Sequence, residues 1–96
     1  MTGRRSTHRA DGNQQEIVDG LRALGASVWV LSQAGGHGPD ACIGWQGENI
    51  LMEFKQPGGK LSPEQAIWHY EWRGQVAVVH SFDEAVAALN AAVRKR

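Results

Sequence analysis

Apolar and polar positions follow more than one rhythm along this chain, and each rhythm predicts an element. From Asn13 to Leu24, the residues Ile17, Leu21 and Leu24 recur at the i, i+4, i+7 spacing of an amphipathic helix, and Gly25 supplies its stop. Val28 to Leu31 is β-branched and aromatic enough for a buried strand, and it ends in a glycine-rich loop from Ala34 to Pro39. Ala41 to Gln46 and Asn49 to Lys55 read as two strands flanking Gly47-Glu48, where glycine at the first central position suits a two-residue type II′ hairpin turn. Ser62-Pro63-Glu64-Gln65 has capping-box spacing with proline at the first helical position, so a helix is predicted from Pro63 to Arg73, stopping at Gly74. Val76 to Val79 is wholly apolar, as expected of a strand covered on both faces. Ser81 then opens a last helix with Phe82, Val86, Leu89 and Val93 on one stripe.

The predicted order is α-β-β-β-α-β-α, an α/β class in which one mixed sheet is flanked by helices. With 96 residues, 42% of them hydrophobic, the chain can enclose one modest core, so residues 1–96 are read as a single domain with 1–12 and 94–96 as flexible tails. Cys42 is the one cysteine and has no disulfide partner within the chain; no apolar run approaches the ~20 residues of a membrane span, and Met1 to Gly12 is too polar for a signal peptide. A soluble, reducing, cytoplasmic setting with no membrane partner is the expectation. Ten Lys plus Arg balance ten Asp plus Glu, so net charge makes no case for a polyanionic partner.

The hairpin concentrates charge. A turn centred on Gly47 and Glu48 sets Asp40 opposite Lys55, with Glu53 as its diagonal neighbour on the same face. The same register sends Ile43, Trp45, Ile50, Met52 and Phe54 to the other face, where a core would want them, whereas a slip of one residue would bury Asp40 and part it from Glu53. Two carboxylates this close repel each other, yet they are the hard oxygen ligands that Mg²⁺ or Mn²⁺ takes. An ammonium beside them can position or help deprotonate a metal-bound water, and the metal can neutralise charge developing on a phosphate. Alternatively, Asp40 merely ends its loop while Glu53 and Lys55 decorate a solvated strand face, which antiparallel sheets often have.

Gly38-Pro39-Asp40, Glu53-Phe54-Lys55 and Lys60-Leu61-Ser62-Pro63-Glu64-Gln65 together resemble the PD-(D/E)XK nucleases of the VRR-NUC branch, and Asn13-Gln14-Gln15-Glu16, the strand Val76 to Val79 and the closing helix match that family's order. The resemblance covers nearly the whole chain. It implies a restriction-endonuclease-like fold and a Mg²⁺- or Mn²⁺-dependent endonuclease acting on DNA. It implies further that Asp40 and Glu53 are metal ligands, that the Phe54 carbonyl is a backbone ligand, and that Lys55 orients the water. Glu16 would be the helix carboxylate, reaching the metal through water, or else the far end of a capping box begun at Asn13. Gln65 would contact the site or the scissile phosphate, although position N3 of a capping box already explains a glutamine. Arg9, His37 and Lys60 are the candidate phosphate or DNA contacts, with a solvated tail and an ordinary exposed loop as the plainer readings of the first two. Zinc is not expected, because His8, His37, His69 and His80 lack paired ligand spacing and fall on different predicted elements. Trp68 and Trp72, four apart on one helix, could stack on bases or face a partner, but a core role is the favoured reading.

Compact stand-alone members of this family are typical of phages and behave as dimeric junction-resolving enzymes. A homodimer cutting branched DNA, four-way junctions above all, is therefore expected, with the tryptophan-bearing helix and the sheet edge as candidate dimer surfaces. The alternatives are a repair or sequence-specific nuclease targeted by a partner protein, and a catalytically silent DNA-binding module of the same fold.

Overall fold

In the computed structural model, residues 5–31 and 36–95 are described, with side chains from Asn13 onward in the first helix. The elements are α1 (Arg5–Leu24), β1 (Ser27–Val30), β2 (Ala41–Trp45), β3 (Glu48–Phe54), α2 (Pro63–Glu71), β4 (Val76–Val79) and α3 (Phe82–Arg94). Their order is the one the hydrophobic pattern predicts, and the class is α/β. The first helix begins at Arg5, eight residues before the predicted start at Asn13 and inside the stretch read as a polar tail. Propagating a helix already nucleated adds one hydrogen bond per residue without needing a buried face, so a stripe-based reading places its start too late. No helix among the described residues is long and apolar enough to cross a membrane.

The four strands lie in the order β1-β2-β3-β4, antiparallel up to β3 and parallel between β3 and β4. The parallel pair requires a crossover, and α2 is that crossover. One sheet face is covered by α1 and α3: Ile17, Val18 and Leu21 meet Ile43, Ile50 and Met52 from the hairpin, with Ala85, Leu89 and Ala92 closing the core. The two helices approach closely at Gly20, where an added Cβ would sit 2.6 Å from the Phe82 ring, so a larger residue there would push α3 off the sheet. The opposite face, carrying Leu51, Glu53 and Lys55, lies under α2.

Three expectations are corrected. The hairpin turns at Gln46 and Gly47, not at Gly47 and Glu48; both residues have positive φ, at 49° and 85°, the signature of a type I′ turn. The register therefore pairs Trp45 with Glu48 and Ala41 with Met52, two residues away from the one predicted. An even slip moves no side chain to the other face, so the apolar pattern is equally satisfied by both registers and cannot choose between them. Only the turn chooses, and glycine at its second position fits type I′ without strain. Second, the two strands expected to be buried are the sheet edges: β1 leaves Trp29 and Val30 exposed, and in β4 Val76, Ala77 and Val78 are only half-buried instead of covered on both faces. Third, Trp68 and Trp72 are not core: α2 has no fully buried residue and the two indoles stack on each other, centroids 4.9 Å apart and 11° from parallel. Trp72 caps the helix, which stops two residues short of Arg73.

Gln46 is the one non-glycine residue with positive φ among those described, and asparagine tolerates that conformation better. Gln46→Asn is expected to raise stability by about 0.5–1 kcal/mol in urea denaturation. An unchanged or lowered midpoint would count against this turn.

Candidate active site

Asp40 sits one residue before β2 and is locked into the ladder by its backbone: its N–H donates to the Met52 carbonyl at 2.9 Å and its carbonyl accepts from Leu31 N–H at 2.6 Å. Its carboxylate turns across to β3, where Oδ2 accepts the Phe54 N–H at 2.8 Å. Continuing the observed register one step past Ala41 and Met52 sets Asp40 against Glu53, with Lys55 on the diagonal. The expected partners have thus exchanged places, but the convergence of the three charges on one face stands.

Among the described residues Glu53 is the one charged side chain in the buried set, 3% exposed and next to the end of β3. Burial pushes its carboxyl up to about 8, helped by the neighbouring Asp40 carboxylate, while Lys55 pulls the other way. The site therefore disfavours charge on both carboxyl groups at once.

Gln65 joins strand to helix. Its Oε1 accepts from Ser62 N–H and from Lys55 Nζ, each at 2.9 Å, and its Nε2 donates to Glu53 Oε2 at 3.3 Å. Ser62 Oγ completes the capping box by accepting from Gln65 N–H at 3.1 Å. The choice between cap and site contact does not arise, because one amide group performs both. The crossover makes this possible: α2 begins eight residues after Lys55 and starts directly over the face that carries it.

Two further residues belong to this neighbourhood that the sequence reading did not select. Asn13 Nδ2 donates to the Lys55 carbonyl at 2.8 Å, fastening α1 to the end of β3. His69, one helical turn beyond Gln65, turns Nε2 toward Glu53 Oε1 at 3.9 Å. Burial, then the Lys55 charge, holds the imidazole below its usual pKa, against a smaller opposing pull from Asp40. Its i+4 spacing from Gln65 is visible in the sequence, but a single histidine carries no local sign that it will face a carboxylate. Glu16 is exposed on α1 and makes no hydrogen bond or ion pair among the described residues. His37 is exposed and lines a cleft of about 360 Å³ together with Gly38, Pro39, Leu51, Trp68 and Trp72. Lys60 is exposed in the loop before α2, near His80 and Glu84, and the Arg9 side chain lies outside the described residues.

No family model matches the chain, and no curated protein or solved structure matches it either. The site therefore has to be read from its own chemistry. Among the described residues, no three His, Cys, Asp or Glu side chains already form a group able to hold a metal ion. The donor set nevertheless fits a divalent cation: two adjacent carboxyl groups, one pushed up to about 8 by burial and by its neighbour, and two buried polar atoms, Glu53 Oε1 and His69 Nε2, without hydrogen-bond partners.

Proposed function

We propose that this chain is a metal-dependent endonuclease that hydrolyses DNA phosphodiester bonds. The observation that carries the reading is the Asp40–Glu53 carboxyl pair, with Glu53 buried and Lys55 beside it, tied through Gln65 to the start of α2. DNA as substrate rests on the PD-(D/E)XK, VRR-NUC-like resemblance, because the carboxylate–lysine arrangement by itself speaks only for a metal site.

Asp40 and Glu53, with the Phe54 carbonyl that the resemblance adds, would hold Mg²⁺ or Mn²⁺, and the ion would supply charge neutralisation at the phosphate and a more acidic water. Lys55, anchored on Gln65, would orient the attacking water with its ammonium. Hydrolysis forms the bond from water oxygen to phosphorus and breaks the bond from phosphorus to a sugar oxygen, which leaves with a proton. The apolar cleft lined by Trp68, Trp72 and Pro39, the residue before Asp40, offers indole faces on which a base can stack.

Nicking of supercoiled plasmid should appear with added Mg²⁺ or Mn²⁺ and vanish in excess EDTA, while Ca²⁺ binds without supporting turnover. Full activity in EDTA would defeat the reading, and DNA binding without cleavage under every metal condition would favour the silent module.

The same reading includes a homodimer acting on branched DNA. Its support is apolar exposure where a partner would sit: Ile67, Tyr70 and Trp72 on and beside α2, and Trp29 on the edge strand β1, 70% exposed. Light scattering at micromolar concentration should return twice the chain mass, and a synthetic four-way junction should be cut faster than its matched linear duplex. A monomer that cuts both equally would remove this part alone.

A further inference from the structure

The carboxylate pair accounts for only part of what is buried beneath α2. Glu53 Oε2 is satisfied by Gln65, but Oε1 has no hydrogen-bond partner, and neither does Nε2 of His69. Both side chains are close to sealed from solvent, 4% and 10% exposed, and the two orphaned atoms face each other across 3.9 Å. That gap is too long for a hydrogen bond. Buried polar atoms are rarely left alone, and leaving one costs about 1–3 kcal/mol. Two facing each other mark the seat of a third body.

That body must attract a carboxylate oxygen and an imidazole lone pair together. A first-row divalent cation does so: at bond lengths of about 2.0–2.2 Å, neighbouring donors stand about 3 Å apart and opposed donors about 4.2 Å. The observed 3.9 Å lies inside that span, so seating the ion asks for a movement of less than about 1 Å. His69 is already held for this. The capping box fixes the start of α2, position i+4 from Gln65 shares its helix face, and the Trp68 ring packs against the imidazole at 5.8 Å and 67°. Nitrogen as a donor also has a consequence for metal choice, since imidazole suits Zn, Cu, Fe and Ni, and Mn²⁺ accepts it more readily than Mg²⁺ does.

We propose that His69 Nε2, together with Glu53 Oε1, is a ligand of the divalent ion and biases the site toward Mn²⁺ over Mg²⁺. The inference rests on the metal-binding half of the functional reading and not on cleavage.

Pulsed electron paramagnetic resonance of the Mn²⁺-loaded chain reads it directly. The wild-type protein is expected to show coupling of Mn²⁺ to a coordinated imidazole nitrogen. His69→Ala and His69→Gln should both lose that coupling and bind Mn²⁺ about tenfold or more weakly, a loss typical of disturbed metal sites. Mg²⁺ affinity, measured by competition, should change by less than about threefold in the same variants, as expected if imidazole contributes little to a Mg²⁺ site. Circular dichroism identifies any variant that fails to fold, and the glutamine variant retains a polar side chain of similar reach. Mn²⁺ bound without nitrogen coupling, or coupling that survives both substitutions, overturns the role of His69 and leaves the nuclease reading standing. No Mn²⁺ binding at all overturns both. Nitrogen coupling in a chain that cuts no DNA supports the metal site and sinks the nuclease.

Discussion

Asp40→Asn is expected to slow plasmid nicking ~10³-fold at saturating metal, about 4 kcal/mol in barrier, without unfolding the domain. The fold should survive because an asparagine carbonyl can still accept the Phe54 N–H that Asp40 Oδ2 accepts, and the backbone bonds to Leu31 and Met52 do not involve the side chain. What disappears is one of the two charges that draw a cation. Lys55→Ala should give a loss of similar size for a different reason: Gln65 keeps its bond to Ser62 N–H, so the cap persists while the ammonium is gone. Nicking rates beside thermal melts check both variants. An Asp40→Asn protein that melts far below wild type would make Asp40 a structural residue and the site reading wrong.

Glu53→Gln is expected to abolish cleavage and yet make the metal-free protein more stable. The folded carboxyl titrates near 8, above its ordinary 4.5, because burial and Asp40 disfavour its charge. Below about pH 4.5 both folded and unfolded forms carry the proton and Glu53 has no effect on stability. From there to about pH 8 the unfolded chain releases it and the folded chain does not, so wild-type stability falls as pH rises, and above pH 8 the penalty stops growing. Glutamine has no such penalty, and its amide can face the His69 Nε2 lone pair. The gain should be negligible near pH 4 and on the order of 2 kcal/mol at pH 7, roughly 10 °C in melting temperature for a domain of this size. Melts in EDTA at pH 4, 7 and 9 test it, and a difference that does not widen with pH would mean Glu53 is not a frustrated carboxylate.

The sequence carried the element order because each element announces itself locally: a stripe ending at Gly25, a capping box at Ser62, an apolar run at Val76. It carried the convergence of Asp40, Glu53 and Lys55 because strand faces alternate, and alternation survives the register error. What it did not carry was pairwise geometry. Whether Asp40 opposes Glu53 or Lys55 depends on which of two adjacent dipeptides turns, a choice between Gln46-Gly47 and Gly47-Glu48 decided by backbone conformation and not by hydrophobicity. The role of Trp68 and Trp72 was misjudged because helical spacing identifies residues on one face but not what covers that face. His69 was overlooked because its partner, Glu53, is close only after the crossover has folded α2 back onto β3.

The amide of Gln65 has a consequence for motion. It closes the first turn of α2 and at the same time grips Lys55 and Glu53, so fraying at Ser62 and loosening of the site are a single event. By thermodynamic reciprocity, whatever tightens at Glu53 also tightens the helix start, and whatever unwinds the helix start is felt at Glu53. On the proposed reading, a cation at Glu53 Oε1 would leave Oε2 to Gln65 Nε2. The helix end would then be a small mechanical relay, passing occupancy at the sheet to α2, the element that also bears the exposed Ile67 and Tyr70.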